Sequence, residues 1–188
     1  MSDKALFIDR DGIINDLVFY PSHGEWESPR DVGALRIRPS VEGALRDAVE
    51  RQWRVFLITN QPSYAKGKCS LESLQQVQQQ VLDHLENEGV MITDSYVCFH
   101  HPESKIAGFG DCECRKPSPY FIQEAARKYA LDLSRSWMVG DQDMDIEAGR
   151  RAGCLTALVE YEHSSHKRGK VRPDLTCADL AEVVRNID

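Results

Sequence analysis

Short, almost wholly apolar runs alternate along this chain with stretches patterned as helices, and that alternation leaves few folds open. The runs are ALFID (5–9), RVFLIT (54–59), SYVC (95–98), SWMVG (136–140) and LTALV (155–159). Near-continuous apolar character suits strands covered on both faces. Helical patterns lie between them at 39–52, 70–89, 118–130 and 143–153. Ser40 is placed to cap the first. In the second, Leu71, Leu74, Val77, Val81 and Leu85 share one face, and Gly89 stops it. Ser118 and Pro119 give the third a capping residue and a first-turn proline. The expectation is an α/β fold: a three-layer, doubly wound, Rossmann-like and mostly parallel sheet, in one domain over residues 1–188.

Composition narrows the function. A net charge of −7 over 188 residues argues against a broad nucleic-acid surface. No apolar run has the length of a membrane span, and MSDKALFIDRDG lacks a secretory pattern. A cytoplasmic monomer that meets neither nucleic acid nor membrane is expected. In such a setting the six cysteines read as thiols or metal ligands rather than a disulfide framework.

Polar residues at the strand ends carry the chemistry, because ligands of doubly wound sheets sit beyond the C-terminal ends of strands. Asp9 and Asp11 follow the first run, Thr59 and Asn60 the second, and Asp141 and Asp145 the fourth. Several carboxylates in one cleft need a cation, and oxygen-only ligation suits Mg²⁺. Thr59 adds a hydroxyl and Lys116 a fixed positive charge just before a helix. An aspartate nucleophile, a metal, a hydroxyl and a lysine together make a phosphoryl-transfer site. Separately, Cys98, His100, Cys112 and Cys114 match a structural Zn²⁺ site, with His101 as the competing imidazole. Such a site would brace the loop carrying Arg115 and Lys116. Cys154 reads as a small core residue.

FIDRDG, LITNQ, RKP and VGDQDMD, in this order, resemble the four motifs of the haloacid dehalogenase superfamily phosphatases. The resemblance spans about residues 5–160. It implies a covalent aspartyl-phosphate mechanism with Asp9 as nucleophile and Asp11 as general acid, then base. Thr59 and Lys116 would stabilise the transferring group. Asp9, the Asp11 carbonyl and Asp141 would hold Mg²⁺, with Asp145 beside them. The pattern C-x-H … C-x-C-R-K-P resembles the branch that holds the heptose-bisphosphate and histidinol-phosphate phosphatases. It implies Zn²⁺ on Cys98, His100, Cys112 and Cys114, and a substrate contact for Arg115. Asn60 and Gln142 are further candidate substrate contacts, and lysine often stands at the Gln142 position.

The substrate expected is a small phosphorylated sugar, with histidinol phosphate or another small phosphomonoester as the alternative. A phosphoryl-accepting signalling domain is the alternative of another class. Asp11 speaks against it, since an acid/base group two residues from the nucleophile promotes turnover. The chain departs from the family pattern at Ile13, where threonine is usual, and in a long 17–37 loop containing EWESPRD. In that loop Arg30 is placed to reach a second phosphate and Trp26 to stack on a sugar. The basic stretch 166–173 reads as a solvated loop. No large cap insertion is visible, so the zinc loop and the 17–37 loop would wall an open site.

Overall fold

The computed structural model describes residues 3–187. β1 (Ala5–Ile8) leads into a small antiparallel hairpin, β2 (Val18–Tyr20) and β3 (Glu25–Glu27). There follow α1 (Val41–Glu50), β4 (Arg54–Asn60), α2 (Leu71–Asn87), β5 (Asp94–Cys98), α3 (Tyr120–Tyr129), β6 (Trp137–Gly140), α4 (Asp143–Ala152), β7 (Leu155–Val159), β8 (Leu175–Cys177) and α5 (Leu180–Asn186). Six strands form one sheet in the order β5-β4-β1-β6-β7-β8, every pair parallel.

Alternation along the strands sends side chains to two separate cores. Leu6, Ile8, Val55, Leu57 and Val139 pack with residues of α1, α2 and α5, including Leu45, Val81, Leu85 and Val183. Ala5, Phe7, Phe56, Ile58 and Met138 pack on the opposite face with Ile122, Ala125 and Ala148 of α3 and α4. The result is three layers, helices on both faces of a parallel sheet.

The five expected strands and four expected helices are all present, with ends shifted by one or two residues. Ser118 accepts a bond from Tyr120 N at 3.3 Å, but Pro119, not Ser118, occupies the capping position of α3, one residue before its first turn. Gly89, at φ +76°, follows the end of α2. Ser40 corrects the expectation: it occupies the capping position in a left-handed conformation, φ 65°, and its hydroxyl caps nothing. The hairpin and the final β8–α5 unit were not anticipated. Their strands are only three residues long, too short to show a period.

The connections from β1 run to one side of the sheet and those from β6 to the other. The crevice between these two neighbouring strands is therefore the switch point where a ligand fits. Gly140, the last residue of β6, allows α4 to approach closely: a Cβ there would lie 2.2 Å from Asp145 Cβ. Gly140→Ala should cost about 1–3 kcal/mol and lower the melting temperature by roughly 2–10 °C. A thermal melt indistinguishable from wild type would contradict this packing.

Candidate active site

Asp9, Asp11, Asn60, Arg115, Lys116 and Gln142 line a cleft of about 260 Å³ at this switch point. β1 delivers Asp9, whose backbone N–H donates to Val139 O at 2.9 Å, and β6 delivers Asp141 on the neighbouring strand. Asp9 Oδ1 accepts from Arg10 N and pairs with Lys116 Nζ, each at 2.8 Å. Its Oδ2 has no protein donor among the described residues. Burial holds the Asp9 carboxyl well above the usual range; Lys116 opposes this, while Asp145, Asp141 and Asp11 reinforce it.

Lys116 is 2% exposed. Its ammonium bridges Asp9 and Asp145 (2.7 Å) and donates to Ile58 O at 2.8 Å. Asn60 fixes its backbone from both sides: Lys116 N donates to Asn60 Oδ1, and Asn60 Nδ2 donates to Lys116 O, each at 3.1 Å. Burial lowers the Lys116 pKa, but the two carboxylates outweigh it and the net shift is upward.

Asp145 and Asp141 differ in what they have left to offer. Asp145 spends one oxygen on Lys116 and accepts from Gln142 N (3.1 Å) with the other. Asp141 is fully buried, and neither of its carboxylate oxygens has a hydrogen-bond partner. Its carboxyl is pushed up to about 7, by burial first and then by Asp145. Ligand oxygens of Asp9, Asp141 and Asp145 lie within 4.8 Å of one another. Orphaned, crowded carboxylate oxygens are what a hard divalent cation needs, so the residues fit Mg²⁺.

Asp11 is held by more partners than any reading of the motif would suggest. Arg10 Nη2 reaches both its oxygens (3.1 and 3.2 Å), Asn15 Nδ2 donates to Oδ1 (2.9 Å), and Ser28 Oγ donates to Oδ2 (2.9 Å). The Gln61 amide also donates to Oδ2. Thr59 Oγ1 accepts from Gln61 at 2.8 Å and lies 3.5 Å from Asp11. Burial pushes the Asp11 carboxyl up, but Arg10 and then the Asn15, Gln61 and Ser28 bonds outweigh it, leaving a net downward shift. The base form is thus the resting one. Arg10, Asn15, Gln61 and Ser28 were not among the expected site residues. Arg10 and Gln61 lie inside the quoted motifs, whereas Ser28 lies in the EWESPRD loop, where no motif singles it out.

The four expected zinc ligands come together. Cys98, Cys112 and Cys114 Sγ atoms are 3.2–3.6 Å apart, and His100 Nδ1 lies 3.8 and 3.5 Å from Cys98 and Cys114. A tetrahedron with metal–sulfur bonds of about 2.3 Å has edges of roughly 3.7 Å, so the donor set fits Zn²⁺. His101 stands outside the cluster; its Nδ1 accepts from Glu103 N. Arg115 donates to His100 O at 3.2 Å, which ties the cluster to the cleft. Cys154 packs in the core.

The hairpin supplies Glu27 and Ser28 to the cleft wall. Arg30 does not line the cleft: its guanidinium pairs with Glu27 at 2.5 Å, bonds His23 and lies over the Tyr20 ring. Trp26 stacks on His163, ring centres 3.5 Å apart, and packs against Phe19. One basic side chain of the 166–173 stretch, Lys167, faces the cleft.

Fold and site together define a phosphoric monoester hydrolase of the haloacid dehalogenase type. The HAD-hydrolase-like family model matches residues 113–183. A D-glycero-alpha-D-manno-heptose-1,7-bisphosphate 7-phosphatase of Photorhabdus laumondii is 36% identical over 80% of this chain and 78% of its own length. The corresponding beta-named enzyme of Yersinia pestis is 30% identical over 99% and 96%. Among solved structures, a D,D-heptose 1,7-bisphosphate phosphatase from B. bronchiseptica, complexed with magnesium and phosphate, superposes with a TM-score of 0.79. It is 27% identical and covers 97% of this chain and 96% of that one. The chain belongs to the haloacid dehalogenase-like family of heptose-bisphosphate phosphatases. No helix among the described residues is long and apolar enough to cross a membrane.

Proposed function

We propose that this chain removes the 7-phosphate from D-glycero-D-manno-heptose 1,7-bisphosphate. The observation that carries the reading is the pairing of Asp9 with Lys116 beside the unpartnered carboxylate of Asp141, in a chain related along most of its length to enzymes of that name.

Asp9 Oδ2 is the atom left to attack phosphorus, while Lys116 holds Oδ1 and stays charged throughout. Asp11, ionised at rest, first takes up a proton from solvent and gives it to the departing oxygen as the phosphorus–oxygen bond to the sugar breaks. In the second half of the reaction the same carboxyl takes a proton from water. That water attacks the phosphorus of the aspartyl phosphate and frees Asp9 and inorganic phosphate. The donors around Asp11 favour its base form, the form this second step uses. Asp9, Asp141 and the Asp11 carbonyl would hold Mg²⁺, which when bound neutralises charge on the phosphoryl oxygens. Cys98, His100, Cys112 and Cys114 would hold a structural Zn²⁺.

Relatives carrying alpha and beta names match this chain similarly. The test is therefore phosphate release from both anomers of the bisphosphate, with histidinol phosphate in parallel and Mg²⁺ present. The reading expects one heptose anomer to give the highest kcat/KM. Higher kcat/KM on histidinol phosphate, or an aspartyl phosphate that persists for minutes, would overturn it.

A further inference from the structure

Beyond the reacting phosphate, the cleft continues under the tip of the hairpin into a second depression. Glu27, Lys66 and Lys167 line both, and Trp26, His163 and His166 line the extension together with Glu25 and Glu162 at its exposed edge. Glu27 is already neutralised, since it pairs with both Arg30 and Lys68. Lys66 and Lys167 have no carboxylate within ion-pair distance among the described residues. Lys66 is half-buried, and burial, then Lys68 and Arg115, lower its pKa against the opposing pull of Glu27 and Glu103. Two ammonium groups lining one cleft wall without a direct ion-pair partner favour an anion there.

The wall carrying Lys167 is built rather than loose. The Asp143 carboxylate, in the first turn of α4, accepts from three successive backbone N–H groups: Gly169 (3.1 Å), Lys170 (3.0 Å) and Val171 (3.1 Å). Such a run of amides is an anion nest, here filled by the protein's own carboxylate. Arg168 donates to Tyr161 O at 2.7 Å, and His163 stacks on Trp26 of the hairpin. The 162–173 segment is thus fastened at one end to the helix beside Asp141 and at the other to the hairpin.

We propose that Lys66 and Lys167 determine specificity by engaging the phosphate that is not removed, and that Asp143 is the positioning residue that sets Lys167. This rests on the reading of the substrate as a bisphosphate. It selects substrates with a second anionic group, while leaving the bond-breaking machinery to the strand ends.

The test compares heptose 1,7-bisphosphate with the same sugar phosphorylated at carbon 7 alone. Wild type should prefer the bisphosphate. Lys167→Glu and Lys66→Glu should each lower the ratio of the two kcat/KM values by about tenfold or more, through KM for the bisphosphate. Asp143→Asn should move the ratio the same way by a smaller factor, although it touches no substrate. An unmoved ratio in folded Lys167→Glu and Lys66→Glu proteins overturns the assignment. An unmoved ratio in Asp143→Asn overturns the positioning role. Wild-type protein inert on both esters overturns the phosphatase reading itself, and the specificity assignment falls with it.

Discussion

Asp9→Asn should abolish Mg²⁺-dependent phosphate release, lowering kcat by about a thousandfold or more, while leaving a folded protein. The amide keeps the shape of the side chain but cannot attack phosphorus. The fold should survive because the ionised carboxylate is a cost in the metal-free protein. Its folded pKa lies above the unfolded value, since burial and the Asp145, Asp141 and Asp11 carboxylates outweigh Lys116. A group of that sign destabilises the fold as pH rises past its unfolded pKa of about 4, and has no effect well below it. Metal-free Asp9→Asn should therefore melt at or above the wild-type temperature at pH 7, with the gap closing toward pH 4. Mg²⁺ should raise the wild-type melting temperature more than the variant's, because one ligand is gone. Near-wild-type turnover in this variant would refute the assignment of the nucleophile.

Chelating the Zn²⁺ proposed for Cys98, His100, Cys112 and Cys114 should have the other large effect, this time on the fold as well as the rate. Cys98 is fully buried at the end of β5, and the loop from 98 to 117 carries no helix or strand of its own. Its organisation depends on four ligand atoms that crowd together, and a structural metal's binding energy is folding energy. Exhaustive chelation, or Cys98→Ser, should lower the melting temperature by on the order of 10 °C. Phosphate release should fall too, because Arg115 hangs from His100 O and the Lys116 backbone follows directly. Purified protein that contains no zinc, yet keeps its melting temperature and rate after chelation, would exclude a metal at these residues.

The sheet was legible because buried parallel strands must be continuously apolar, and the strand-end carboxylates because doubly wound sheets gather their ligands there. Four cysteine and histidine positions at short spacing were legible for a similar reason, since zinc dictates the donors. What stayed hidden is long-range and polar. Arg10 lies inside FIDRDG with nothing local to mark it, yet it is wholly buried, because Gln78, far along the chain, accepts from its Nη1 at 3.0 Å and Asp11 takes its other nitrogen. Ser28 joins Asp11 only because the hairpin folds back over the cleft. Arg30 and Trp26 were expected to face substrate, but each found a nearer partner within the protein, Glu27 for one and His163 for the other. Lys167 is exposed, as its basic run suggests, but its place beside the cleft was hidden, because Asp143 of another element holds the backbone just after it.

The stack of Trp26 on His163 also bears on how such a protein can be altered. The hairpin and the 162–173 segment are separated by more than a hundred residues of chain, but they meet face to face above a sheet that neither helps to build. Grafting one of them from a relative would leave an aromatic surface without its partner and turn the basic rim away from the cleft. Anyone re-engineering the ester preference should transplant the two together, and a lineage changing diet would have to revise them as a pair.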